Sequence, residues 1–294
     1  MTVPMIEAEL ELEAKTELGE GPVWDPLGRC LYFVDILRGH VHRYEPATRT
    51  FGTFRIGQSV GAIALTESGG LVLAVRDGFA RLNVESGDVS VIAKVEADRP
   101  HLRMNDGNCD AAGRFWAGTM ALDERPDAGT LYRLSPGGQV EVMLRPVTIS
   151  NGIDWTDDER SMYFIDTAAG SVDVFDFEAT TGAISNRRTF VGIAREQGAP
   201  DGLTVDADGF VWVSLWGGGA VHRYAPSGAL DHVVRLPVTH PTSCAFGGSD
   251  LRDLYITTAS VALTPGERAR QPQAGGLFRC RPGPSGRPPN RYKD

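Results

Sequence analysis

Lysine is nearly missing from this chain: Lys15, Lys94 and Lys293 are the only three among 29 basic residues. The rest are arginine, a skew that reflects composition more than chemistry. An excess of positive charge is missing too. The formal net charge is −9 and the isoelectric point is near 5.2, which argues against a nucleic acid or an anionic membrane as partner. No run approaches the ~20 apolar residues of a membrane span. The opening "MTVPMIEAELELEAK" has neither the basic start nor the apolar core of a secretory signal. Cysteine is sparse, with Cys30, Cys109, Cys244 and Cys280 widely scattered and no CxxC pair. The expectation is four buried free thiols in a reducing cytoplasm rather than disulfides or a thiolate metal site. Helical periodicity is absent as well, since no sustained i, i+3, i+4, i+7 apolar stripe occurs. A doubly wound α/β architecture is thereby disfavoured.

What the chain does have is a repeat. Six short runs rich in β-branched and aromatic residues follow turn signals: "RCLYFVD", "GLVLAV", "RFWAGT", "SMYFID", "FVWVSL" and "DLYITT". Each has strand composition and is too short for a buried helix. Each is followed by a glycine and a second alternating strand, such as "GHVHRYEP", "GTLYRLSP" or "GAVHRYAP". Each is preceded by an apolar stretch and a turn, as in "GPVWDPLG" and "DGLTVDADG". The preceding stretches recur roughly every 40 to 50 residues, the spacing of propeller blades. The fold expected is an all-β, six-bladed β-propeller.

Closure has its own signature. The N-terminal "AELELEAKTEL" alternates like a half-buried strand and would supply the outer strand of the last blade, removing an exposed sheet edge. Residues 1–281 form the single propeller domain on this reading. The Pro- and Gly-rich "RPGPSGRPPNRYKD" makes residues 282–294 an expected flexible tail. Monomer or weak dimer is left open. The stretch "GQSVG" at 57–61 fits the G-x-S-x-G elbow of a serine hydrolase. Ser59, however, falls in a loop entering the first strand of blade two with no helix behind it, so a nucleophilic role is set aside.

In a propeller the first strand of each blade faces the central channel, and the residue before it sits at the channel mouth. The repeat therefore selects equivalent positions: Glu20 in blade one, Asn151 in blade four and Asp201 in blade five, with "RMNDGNCD" adding Arg103, Asn105 and Asp106 in blade three. Blades two and six offer the uncharged "SVGAI" and "PTSCAF". Carboxylates crowded together repel unless neutralised. A Glu, Asn and Asp oxygen set suits one divalent ion: Ca²⁺, Mg²⁺, Mn²⁺ or Zn²⁺. The plainer reading of the same residues is that Asn-Gly and Asp-Gly are ordinary turn dipeptides.

The stretches "LGEGPVWD", "RMNDGNCDAAGRFWAGTM", "ISNGIDWTDDERSMYFIDT", "ISNRRTF", "PDGLTVDADGFVWV" and "TSCAFGGSDLRDLYIT" resemble, in collinear order from about residue 15 to 280, the senescence marker protein 30/gluconolactonase family. That group includes regucalcin and bacterial sugar lactonases. The resemblance implies a six-bladed propeller with one axial divalent metal held by Glu20, Asn151 and Asp201. It also implies substrate contacts from Arg103 and Asn105. Where regucalcin-like members carry a glutamate two positions after "AGTMA", this chain has Asp123, one methylene shorter, which the resemblance implies as a third substrate contact, reaching a sugar hydroxyl.

The activity implied is hydrolysis of a sugar (aldono-)lactone to its acid. The metal would polarise the ring carbonyl, and Asp201 would serve as general base. The alternative is a metal-activated water that Asp201 only orients. Arg103 and Asn105 would orient the lactone. Two other readings stay open: a phosphotriesterase- or paraoxonase-like metal-dependent esterase, and a calcium-binding propeller without turnover. His40, His42, His101 and His240, and Trp116, Trp155 and Trp212, read first as packing or surface residues. Trp216, ending its strand before "GGG", is the best candidate for a sugar platform.

Overall fold

The computed structural model describes residues 3–294 and contains six sheets. The innermost strand of each is Gly19–Asp25, Val60–Leu65, Leu102–Cys109, Ser150–Trp155, Ala199–Val205 and Pro241–Gly247. These pack against one another round a central axis, and each sheet runs outward by antiparallel neighbours. The six aromatic-rich runs are the second strands, Cys30–Asp35, Leu71–Val75, Phe115–Ala121, Ser161–Asp166, Val211–Trp216 and Asp253–Thr258. The fold is a six-bladed β-propeller, as the repeat indicates.

There is no single core. Six apolar clusters lie between neighbouring blades, one at each interface. Period-two alternation is what feeds two of them from one strand. In "CLYFVD", Cys30, Tyr32 and Val34 face blade two while Leu31 and Phe33 face blade six. The four cysteines are buried and unpaired, as expected.

Closure is as anticipated: Glu9–Leu12 pairs antiparallel with Leu277–Cys280 as the outermost strand of blade six. One feature was not legible beforehand. Met5–Glu7, just upstream, pairs in parallel with Leu230–Arg235 at the edge of blade five, so one N-terminal segment ties two blades.

The C-terminal tail corrects the sequence expectation. Instead of hanging free from Pro282, it crosses the far end of the channel and touches all six blades. Ser285 O accepts from Ala207 N of blade five, and Gly286 N donates to Leu251 O of blade six. Arg287 donates to Trp155 O of blade four at 2.7 Å. Asn290 donates to Cys109 O of blade three at 3.0 Å, and Arg291 pairs with Asp25 of blade one at 2.9 Å. Tyr292 N donates to Leu65 O of blade two, and its ring is buried between blades two and three. Proline and glycine barred a strand here, but irregular backbone still packs where neighbouring carbonyls and N–H groups accept it.

Candidate functional site

The innermost strands share one irregularity. All six break register with the second strand near their start, at Glu20/Val23, Val60/Ala62, Met104/Gly107, Ser150/Ile153, Pro200/Leu203 and Pro241/Cys244. A bulge adds a residue against one partner and re-aims side chains. Here the bulges hold Glu20, Asn105, Asp106, Asn151 and Asp201 at one end of the axis. The glycine after Asn151 is needed because neighbouring backbones approach closely there. A Cβ on Gly152 would lie 2.6 Å from Leu203 N and 2.8 Å from Asp201 O.

Glu20, Arg103, Asn105, Asp106, Asn151 and Asp201 are all buried. Glu20 accepts from Gly21 N at 2.7 Å and Asp106 from Gly107 N at 2.7 Å. Arg103 donates to Asn105 Oδ1 at 2.6 Å and to Met104 O at 3.1 Å. Asn105 Nδ2 in turn donates to Ser150 O at 2.7 Å. Asn105 thus braces Arg103, keeping one N–H and one lone pair for anything else.

Burial is the main force on the acids. It drives the Glu20 carboxyl well above its ordinary range, with the Asp201 and then the Asp106 carboxylates adding repulsion. Asp201 is driven well up by burial and then by Asp106. Burial raises Asp106 to about 6. It also lowers Arg103 to about 10, against the pull of Glu20, Asp201 and Glu124. Three buried carboxyls thus face one guanidinium, and their full ionisation would leave two negative charges that a divalent cation would neutralise.

The donor set fits such an ion. Asn151 Nδ2 donates to Thr167 Oγ1 at 2.9 Å, whereas the buried Asn151 Oδ1 has no hydrogen-bond partner. A buried amide oxygen without a donor is costly unless a cation or water satisfies it. Among the described residues no three His, Cys, Asp or Glu side chains gather as a metal site. The third oxygen beside Glu20 and Asp201 is that of the amide.

Asp123 is not brought to this cluster. Its side chain is 62% exposed and pairs with Arg125 at 3.5 Å. The acid acting on Arg103 from this loop is the neighbouring Glu124. Asp106, which the repeat placed with Arg103 and Asn105, is part of the charge balance. Ser59 lies in the loop before Val60–Leu65, and the one α-helix among the described residues, Pro265–Arg270, is far along the chain in blade six. Trp116, Trp155 and Trp212 are packed between blades. Trp216, at the site end of its strand, stacks on His240 with ring centroids 4.2 Å apart and 10° between planes. His40 and His42 meet edge-on at 5.8 Å in blade one, and His101 is exposed.

On the far side of the acidic layer lies a cavity of about 420 Å³. Asp106, Asn108 and Asp154 are among its walls, and Arg287 to Asn290 of the tail lie across its far side. The fold and site together define a closed six-bladed propeller with one buried acidic centre on its axis.

The sequence profile of the SMP-30/gluconolactonase/LRE-like region matches residues 18–260, and the chain belongs to that family. It is 40% identical to regucalcin of the rabbit, Oryctolagus cuniculus, over 294 residues and 98% of both chains. A calcium-binding protein, regucalcin, from Agrobacterium tumefaciens superposes with a TM-score of 0.94, covering 99% of each chain at 27% identity. A luciferin-regenerating enzyme superposes at 0.91 with 29% identity, covering 98% of this chain and 100% of the other. Among the described residues no helix is long and apolar enough to cross a membrane.

Proposed function

We propose that this protein hydrolyses a sugar (aldono-)lactone with the help of one divalent metal ion held by Glu20, Asn151 and Asp201. The observation carrying this reading is the buried charge imbalance beside an unpartnered amide oxygen. A structural role gives no reason to bury three carboxylates against one arginine. Family membership favours lactone opening as the chemistry.

When bound, the ion would polarise the lactone carbonyl as a Lewis acid. The protein's own groups do the rest. Arg103, braced by Asn105, holds the substrate with its remaining N–H donors and fixes its orientation. Asp201 takes the proton of the attacking water. Its removal in Asp201→Asn should lower turnover about 10²- to 10⁴-fold. The tail across the far channel end leaves the mouth beside Arg103 as the route for substrate. Asp123, exposed and paired with Arg125, lies outside this arrangement. Buried unpaired thiols accord with a reducing, cytoplasmic setting.

The test is a pH-drop assay over a panel of aldonolactones, using metal-stripped protein refilled with Ca²⁺, Mg²⁺, Mn²⁺ or Zn²⁺. Opening of at least one lactone is expected, lost on chelation and in Asp201→Asn but kept in Ser59→Ala. Ion binding without turnover across the panel would instead support the calcium-binding reading that the name regucalcin suggests. Turnover indifferent to chelation would overturn the metal altogether.

A further inference from the structure

An asparagine ligand poses a problem that a carboxylate does not. Glu20 and Asp201 present oxygen to the axis whichever way the carboxylate turns. The Asn151 amide has two ends of nearly equal shape, and only one is an oxygen. Turned about, it would aim a polarised NH₂ group at the cation.

The proton count around Thr167 settles the orientation. The Thr167 hydroxyl lies 2.9 Å from Pro200 O, and a carbonyl can only accept. The single hydroxyl proton therefore goes to Pro200. Toward Asn151, 2.9 Å away, Oγ1 offers only lone pairs and must receive an N–H from Nδ2. Oδ1 is left pointing elsewhere, buried and without a partner.

Thr167 is itself firmly seated. Its N–H donates to Ile149 O. The adjacent Asp166 accepts from Thr148 N and Ile149 N, each at 2.9 Å, in the segment entering the Asn151 bulge. Asp35 makes the corresponding contacts in blade one, accepting from Glu17 N at 2.9 Å and Leu18 N at 3.2 Å ahead of Glu20. The next residue differs between the two blades: "YFID" is followed by Thr167, "YFVD" by the apolar Ile36. A hydroxyl stands where the ligand is an amide, and none where it is a carboxylate. Because Pro200 immediately precedes Asp201, the same hydroxyl also joins the bulges of blades four and five.

We propose that Thr167 is a positioning residue that orients the Asn151 amide so that its oxygen faces the cation, and that it links this ligand to the Asp201 bulge. The proposal rests on the metal reading above. Outer partners of this kind are typically worth about 10- to 100-fold in metal affinity.

The experiment measures Ca²⁺, Mn²⁺, Mg²⁺ and Zn²⁺ affinity by chelator competition, alongside the melting temperature of the metal-free protein. Thr167→Val should bind about 10- to 100-fold more weakly, with Thr167→Ser restoring most of the affinity. In an Asn151→Asp background, where the ligand no longer has two unlike ends, Thr167→Val should cost much less. If Thr167→Val does not fold, Thr167→Cys, a weaker hydrogen-bonding group, replaces it and should bind less tightly than Thr167→Ser. Equal affinity in wild type and Thr167→Val, or an equal loss in the Asn151→Asp background, would overturn the orienting role while leaving the metal site intact. A wild-type protein that binds none of Ca²⁺, Mn²⁺, Mg²⁺ and Zn²⁺ would remove the metal reading itself and this proposal with it.

Discussion

At the scale of single residues, the cost and the use of the acidic centre come from the same charges. Asp201 is held well above its ordinary range by burial and by Asp106, so in the metal-free protein its ionised form destabilises the fold. An acid raised in the folded state gives stability that is present at low pH and lost as pH rises through the raised value. Asp201→Asn should therefore melt a few degrees higher than wild type at pH 7 without metal. The gain should shrink toward pH 4, and metal affinity should collapse at every pH. Calorimetry with and without the ion checks both halves. Histidine predicts the opposite slope. Burial pushes His42 and His222 down to about 4, so they stay neutral in the fold while the unfolded chain protonates near 6.5. Their contribution is lost as pH falls from about 6.5 toward 4, by at most on the order of 3 kcal/mol per ring. A His42→Phe variant, whose ring can still pack against Phe33 and Phe51, should show a flatter decline over that window. A melting curve equally steep in both proteins would contradict the assignment.

At the scale of the element, the decisive device is the bulge at the head of each innermost strand. It requires a residue without Cβ where two backbones nearly touch. Gly152→Ala would push a methyl into Leu203 N and Asp201 O, neither of which can move like a side-chain tip. Overpacking of this kind costs about 1–3 kcal/mol. Because it displaces the Asp201 bulge, it should also weaken metal binding. Gly192→Ala, on the outer strand Ala183–Gly192 with open space around it, is the control and should stay within about 0.5 kcal/mol of wild type. Urea denaturation of the pair, read beside metal affinity, separates the two effects. Strand type and order were legible because β-branched runs and turn glycines are local signals. The bulges were not, since a bulge depends on which residue of the neighbouring strand is opposite.

At the scale of the whole molecule, the two termini complete what the six repeats leave open. The N-terminal strand seals blade six, and its alternation announced this role. The tail laces the blades together at the channel's far end, which its composition concealed. Removing residues 285–294 should lower the melting temperature by several degrees, with loss of the buried Tyr292 ring as the largest single part. Tyr292→Ala alone should account for about 3 kcal/mol, as for other large buried rings. Lactone turnover, where measurable, should suffer less than stability, because the tail lies beyond the acidic layer. A truncated protein as stable as the full chain would show that the lacing contributes nothing.

The sequence by itself determined the propeller, the number of blades, the closing strand and the equivalent places of Glu20, Asn151 and Asp201 at the heads of their innermost strands. All of these follow from periodicity, and a repeated local pattern reports the register of every copy. Only the tertiary structure decided that Asp123 is exposed beside Arg125 and away from the cluster, that Thr167 faces Asn151, and that the tail is packed. Each of these turns on which residues of different strands, loops or blades meet. Such meetings depend on side-chain direction and on distances across the axis, which no local pattern along the chain encodes.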